Sequence, residues 1–276
     1  MESTLLSHSF GIPKKENVKV QEKTLISAEI YKKMYNESVS YEVYQYGPAA
    51  DTENINDYIV HAPYDSQKMF DRILDRLDKG VKEPTALSEF TKQILFDNYD
   101  KILSWSAASK IHHNCRGGWL YHTFRMVESA YYLRCVYQVD AELLICGTIL
   151  HDIGKLKELD TDNLGTAEYT IPGTLFGHST LGIEMIDKAY ESWKKEIHKD
   201  LPEERVMLLK HMIASHHGKL EYGAITVPSI PEAMILHELD MIDSRIYQFE
   251  QVRKDLEPGS MSDKIFGLDT RVYRPL

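Results

Sequence analysis

The chain has few cysteines, no long apolar run and fewer bases than acids, and each shortage narrows what it can be. Three cysteines in 276 residues, at positions 115, 135 and 146, are too few and too scattered for a disulfide framework. Cys135 and Cys146 lie in apolar helical stretches and read as small core residues. No apolar run approaches the roughly 18 residues of a membrane span, so no membrane partner is expected. The start, MESTLLSHSFGIPKK, lacks the basic and apolar segments of a secretory signal. A cytoplasmic protein fits these points. With 32 basic residues against 42 acidic ones the net charge is −10, which repels polyanions and argues against passive coating of nucleic acid. It does not exclude an enzyme acting on phosphates, because metal ions in a site invert the local field.

What is present supports a sizeable core. Hydrophobic residues make up 43% of the chain and charged ones 27%, within the range of globular domains. Residues 1–62 read as a short appendage or linker. Within it SVSYEVYQY (38–46) alternates like a strand, LISAEIYKKMYNES (25–38) reads as a helix, and YGPAADTENINDY reads as a polar turn. From residue 63 to 276 the pattern is helical. SQKMFDRILDRLDKGV puts Met69, Phe70, Ile73, Leu74 and Leu77 on one face and stops at Gly80. EPTALSEFTKQILFDNYDKILSWSAA predicts one helix or two, with a break near Asn98 or Ser104. WLYHTFRMVESAYYLRCVYQV predicts a long apolar helix, and DAELLICGTILHDIGK another with Asp140 as N-cap. A loop, LDTDNLGTAEYTIPGTLFG, leads to a helix from His178 to Trp193. PEERVMLLKHMIASHHG and PEAMILHELDMIDSRIYQFEQVRK follow, each with Pro near its first turn, and the tail DKIFGLDTRVYRPL wraps back on the body. Seven or eight helices with little sheet make an all-α bundle.

The twelve histidines matter through their clustering. His151-Asp152 ends an apolar helix, where a carboxylate can bridge two ions while the imidazole holds one; alone, the pair reads equally well as a helix-terminal turn. His122 lies among Trp119, Leu120, Phe124, Met126 and Val127 and faces inward, as many hydrogen-bonded core histidines do. His178, by itself, would be a surface residue at a helix start. Ser215-His216-His217-Gly218 is more specific, since adjacent histidines turn toward one point only where a helix is ending, and imidazole is the commonest metal ligand. Asp240 sits in apolar LHELDMID, where a carboxylate is costly unless paired or metal-bound. Asp243 and His237 share its face as outer partners, His237 orienting the carboxylate. His112 and His113 are placed at the entrance, His211 packs or hydrogen-bonds in the core, and His8, His61 and His198 read as surface residues.

The order H…HD…H…HH…D on successive helices, carried by IHHNCRGGWLYHT, ILHDIGKLKEL, GTLFGHSTLG, LKHMIASHHGKLEYG and EAMILHELDMIDS, resembles the HD-domain superfamily of metal-dependent phosphohydrolases. The likeness, from about residue 62 onward, runs toward the YhaM-type bacterial 3′→5′ exoribonucleases. It implies an HD-type helical bundle with two divalent ions, Mn or Fe, with Zn, Ni or Mg as alternatives. His122, His151, Asp152 and Asp240 would hold one ion; Asp152 would bridge to a second, completed by His178, His216 and His217. A water between the ions would attack a phosphodiester in a nucleic-acid end, a short oligonucleotide or a nucleotide-like substrate. Lys155 is placed to contact a substrate phosphate, with Arg116 and Lys219 as weaker candidates and Tyr222 available to stack on a base. Each of these cations also reads as an ordinary solvated side chain. Relatives of this type carry an N-terminal oligonucleotide-binding barrel, which needs five strands; here it reads as absent or reduced to its last strand, favouring small substrates. The alternatives are a nucleotide phosphomonoesterase and a non-catalytic nucleotide-binding module, against which the full ligand set argues. Pairing of subunits into a homo-oligomer through residues 1–62 is left open.

Overall fold

The computed structural model describes residues 25–35, 38–108, 115–162, 164–196 and 200–276; His8, His112, His113 and His198 fall outside them. The chain divides into two compact units, residues 1–60 and 61–276.

In the first unit β1 (Ile26–Tyr35) and β2 (Ser38–Pro48) form an antiparallel hairpin whose register shifts between Glu29 and Ile30. The expected strand at 38–46 lies within β2, whereas the expected helix at 25–38 is a strand. Isoleucine and tyrosine pack well on a pleated surface. Cross-strand pairs then select the extended form: Tyr31 meets Tyr44 edge to face at 5.4 Å, and Lys33 pairs with Glu42.

The second unit is helical. Before the site come α1 (Ser66–Gly80), α2 (Ala86–Asp97), α3 (Tyr99–Ser104), α4 (Gly118–Leu133) and α5 (Ala141–Leu150). Then follow the single turn α6 (Lys155–Glu158), the ribbon β3 (Leu159–Thr161) and β4 (Ala167–Tyr169), α7 (Ile171–Glu196), α8 (Glu203–Ser215) and α9 (Pro231–Asp255). A closing hairpin, β5 (Met261–Ile265) and β6 (Thr270–Tyr273), lies against α9 and buries Val272. The fold is all-α in character with short strand pairs at its margins.

The central element is α5. Every residue from Glu142 to Leu150 is buried, and α1, α2, α4, α8 and α9 all pack on it. A helix apolar on every side has no stable place except the middle of such a bundle, and each fully buried Leu or Ile there contributes about 1.5–3 kcal/mol. Asp140 caps it, accepting from the Leu143 amide at 2.9 Å, as expected. The one charge within it, Glu142, is buried because it caps α2 from outside. It accepts from the Thr85 amide (2.8 Å), the Thr85 hydroxyl (2.8 Å), the Ser88 hydroxyl (2.6 Å) and Arg205 (3.0 Å).

Three expectations fail locally. The long helix expected from 119 to 139 ends at Leu133, where the chain passes into turns and the Arg134 guanidinium donates to the Gly80 carbonyl. Cys135, Val136 and Tyr137 are left exposed, so Cys135 is not a core residue, whereas Cys115 and Cys146 are buried. The stretch 159–177, expected as a loop, contains the β3–β4 ribbon and the start of α7, which begins at Ile171 instead of His178 and runs to Glu196. Among the described residues no helix is long and apolar enough to cross a membrane.

Candidate metal centre

Five helices deliver side chains to one point. The end of α5 releases His151 and Asp152 into the middle of the bundle, both almost fully buried. From α4 comes His122, from α7 His178, from the end of α8 His216 and His217, and from α9 Asp240. In α7 the backbone leaves helical geometry at Gly177 (φ 69°, ψ 161°), so the segment after it starts afresh and aims His178 inward. Gly218, at φ +76°, ends the His216-His217 turn; a Cβ there would meet the His237 ring.

The side chains form two groups that share Asp152. Nε2 of His122 lies 3.2 Å from Nε2 of His151, 3.4 Å from Oδ1 of Asp240 and 3.7 Å from Oδ2 of Asp152. Nε2 of His178 lies 3.2 Å from Nε2 of His217, 3.3 Å from Nε2 of His216 and 3.4 Å from Oδ1 of Asp152. One carboxylate oxygen thus faces each histidine set. His122, His151 and Asp152 form one candidate ligand group, and His178, His216 and His217 the other.

The outer contacts fix which ring nitrogen carries the proton. Nδ1 of His151 donates to the Thr148 carbonyl and Nδ1 of His216 to the Ile213 carbonyl, each at 2.7 Å. Nδ1 of His122 faces Oδ2 of Asp243 at 2.8 Å, and Nδ1 of His178 faces Oε1 of Glu158 at 3.1 Å. With the proton on Nδ1, the Nε2 lone pairs of His122 and His151 point at each other, as do those of His178 and His216. Such contacts repel unless a cation lies between them. Neighbouring nitrogens on one ion with bonds of about 2.1 Å stand about 3.0–3.4 Å apart, which is the spacing found. Oδ1 of Asp152 is buried and accepts no hydrogen bond from any described group, which costs free energy unless a cation serves it. The donor set therefore fits a pair of metal ions. It is nitrogen and oxygen only, a set suited to Mn, Fe or Zn.

The local field agrees. Burial opposes charge on Asp152, but the Lys155 ammonium, 2.7 Å away, and the imidazoles of His151 and His178 outweigh it and hold the carboxyl well below its usual range. Burial, then the neighbouring His217, keeps His216 well below the ordinary histidine value, in the neutral form that ligates metal. Burial likewise lowers His217, with His178 adding to it. His151 is pulled the other way: burial opposes its charge, but Asp152 and Asp240 raise it.

The sequence-predicted residues divide accordingly. The seven ligand candidates come together. Asp243 is the outer partner of His122, whereas His237 holds a different group from the one expected: its Nδ1 donates to the His216 carbonyl at 2.9 Å and steadies the turn, not the Asp240 carboxylate. Lys155 reaches the centre through Asp152. Lys219 lies 5.2 Å from the Tyr222 ring and 3.5 Å from Glu221, while Arg116 lines a surface hollow of about 360 Å³ with His61, Tyr64 and Ser66. His211 is half-buried rather than in the core, accepting from the Ser229 amide at 3.0 Å.

Two contributors escaped the sequence reading. Arg125 grips the far oxygen of Asp243 at 2.5 Å and is itself held by Glu250 at 2.8 Å and the Tyr121 hydroxyl at 3.2 Å. Glu158 orients His178 through both its ring and its amide (3.0 Å). Spacing was the available signal: Arg125 is three residues from His122, Asp243 three from Asp240, and Asp152, Lys155 and Glu158 recur every third residue.

The HD domain family matches residues 119–245, a span that contains every one of these ligands. The 3′-5′ exoribonuclease YhaM of Bacillus licheniformis is 33% identical over 233 residues, covering 83% of this chain and 71% of its own length. YhaM of Bacillus subtilis is 32% identical over 232 residues, with the same coverage, and that of Listeria welshimeri 32% over 224 residues, covering 81% and 68%. No solved structure matches the chain significantly. The chain belongs to the HD-domain superfamily of metal-dependent phosphohydrolases, within the YhaM family.

Proposed function

We propose that the chain is a phosphodiesterase that removes nucleotides from the 3′ end of short single-stranded RNA or DNA. One observation carries the metal dependence: histidines whose Nδ1 protons are committed elsewhere turn their Nε2 lone pairs on one another around a buried carboxylate. In this reading His122, His151, Asp152 and Asp240 hold one ion, and Asp152, His178, His216 and His217 a second, with Mn or Fe the metals of choice. Ions at such a centre lower the pKa of water and offset charge on phosphoryl oxygens. Lys155 is the residue assigned to a phosphoryl oxygen, with Lys219, Tyr222 and Arg116 toward the substrate. Short substrates are favoured by the net charge of −10. Subunit pairing through that unit and a cytoplasmic location belong to the same proposal.

The charge also supports a second reading, hydrolysis of a nucleotide monoester. The test is turnover with Mn²⁺ of bis-p-nitrophenyl phosphate, of p-nitrophenyl phosphate, and of a single-stranded oligoribonucleotide with a free or a blocked 3′ end. Diester turnover with shortening that a 3′ block prevents is the expected result. Turnover of the monoester alone selects the second reading.

A further inference from the structure

The turn that precedes His178 is built inside out. In Ile171–Phe176 the one buried residue is Gly173, while Ile171, Leu175 and Phe176 are 78%, 69% and 59% exposed. Ordinary surface helices do the reverse, burying the large apolar face and exposing small or polar residues. The inversion is enforced, because a Cβ at Gly173 would sit 2.1 Å from the Glu158 carbonyl oxygen.

The turn is also held fast. The Thr170 amide and hydroxyl donate to the Glu158 and Lys157 carbonyls at 2.9 and 2.8 Å, and the Thr170 hydroxyl accepts from the Gly173 amide at 2.9 Å. At its other end the His178 amide donates to the Glu158 carboxylate, the same group that orients the His178 ring. Exposed apolar side chains on a pinned turn, two residues from a metal ligand, are a prepared contact surface rather than a loose loop. Across the centre the loop after His217 also shows apolar groups: Leu220 and Tyr222 are exposed, and Gly223 comes within 3.5 Å of the His217 ring if given a Cβ.

We infer that the Ile171–Phe176 turn is a base-binding platform, on which the Phe176 ring stacks and Leu175 packs against a base of the single strand whose phosphate lies at the metal centre. The inference rests on the diesterase reading above. Its occupant follows from position: Phe176 stands exposed two residues before His178, beside the centre at which the diesterase reading puts the scissile phosphate. The base of a nucleotide held at that centre by its phosphate is the group an exposed aromatic ring there can grip. Stacking suits this because every base has a π face, and it makes the platform tolerant of sequence.

The test compares wild type with Phe176→Ala and Phe176→Tyr on an oligoribonucleotide and on copies carrying one abasic residue at each of the last few positions. Metal content and melting temperature are read alongside. A stacked base is worth about 5- to 150-fold in binding. Wild type is expected to lose kcat/KM by a factor in that range when one particular base is missing. Phe176→Ala should lose a similar factor on the intact oligonucleotide and become indifferent to that base, and Phe176→Tyr should restore the dependence. An unchanged base dependence in Phe176→Ala, with the wild type cleaving oligonucleotides, overturns the platform alone. A wild type that cleaves no oligonucleotide overturns the diesterase reading and the platform with it.

Discussion

Asp243 accepts the Nδ1 proton of His122 at 2.8 Å while Arg125 holds its other oxygen. Asp243 is thus the joint between a ligand and a cation that touches no ligand. Outer partners of this kind typically change metal affinity by 10–100-fold. Asp243→Asn should weaken the ion on the His122 side by that order and leave the ion on the three-histidine side in place. Arg125→Met should do the same and also destabilise the fold by about 3–5 kcal/mol, because it removes the charge partner of a buried carboxylate. Metal titration of each variant checks this; equal loss of both ions would show that the two sets are not separately supported.

Gly173 has no room for a methyl group. Gly173→Ala should destabilise the protein by about 1–3 kcal/mol and, by displacing Glu158, lower occupancy at the His178 side. Thermal melts with metal analysis read both effects. Destabilisation without metal loss would separate the turn from the centre.

Glu142 gives a pH dependence that lies away from the metal site. Burial would raise its carboxyl, but hydrogen bonds from Ser88 and Thr85 and the charge of Arg205 outweigh it, so the folded value lies below the usual 4.5. A carboxyl depressed by folding stabilises above its unfolded value and loses that contribution as pH falls through the folded one. Glu142→Gln should therefore cost about 1–3 kcal/mol near neutrality, with the gap to wild type shrinking below pH 4.5. Denaturant melts across that range test it, and a gap that widens in acid would contradict the assignment.

The sequence was most readable where one physical demand acts alone. Histidines and carboxylates in the order H…HD…H…HH…D made the seven candidate ligands legible as a set, although each alone reads as an ordinary residue. An α5 whose one charged residue is Glu142 allowed no place but the centre. Where two demands compete, local reading failed. The stretch at 25–35 carries residues compatible with helix or strand, and its pairing with β2 decides between them. Arg125 was missed because an arginine in a helix ordinarily faces water, and only the opposing Asp243 on α9 reveals its inward role. Gly173 lies in a stretch that reads as a loop, and its contact with the Glu158 carbonyl cannot be inferred from either segment separately.

The central claim is a pair of ions shared by Asp152, and metal content measured on purified wild type and Asp152→Ala tests it most directly. Close to two equivalents per chain are expected in the wild type, and loss of metal together with diester turnover in the variant, which keeps its helical circular dichroism. A wild type without metal, or a variant that retains two ions and its activity, would contradict it.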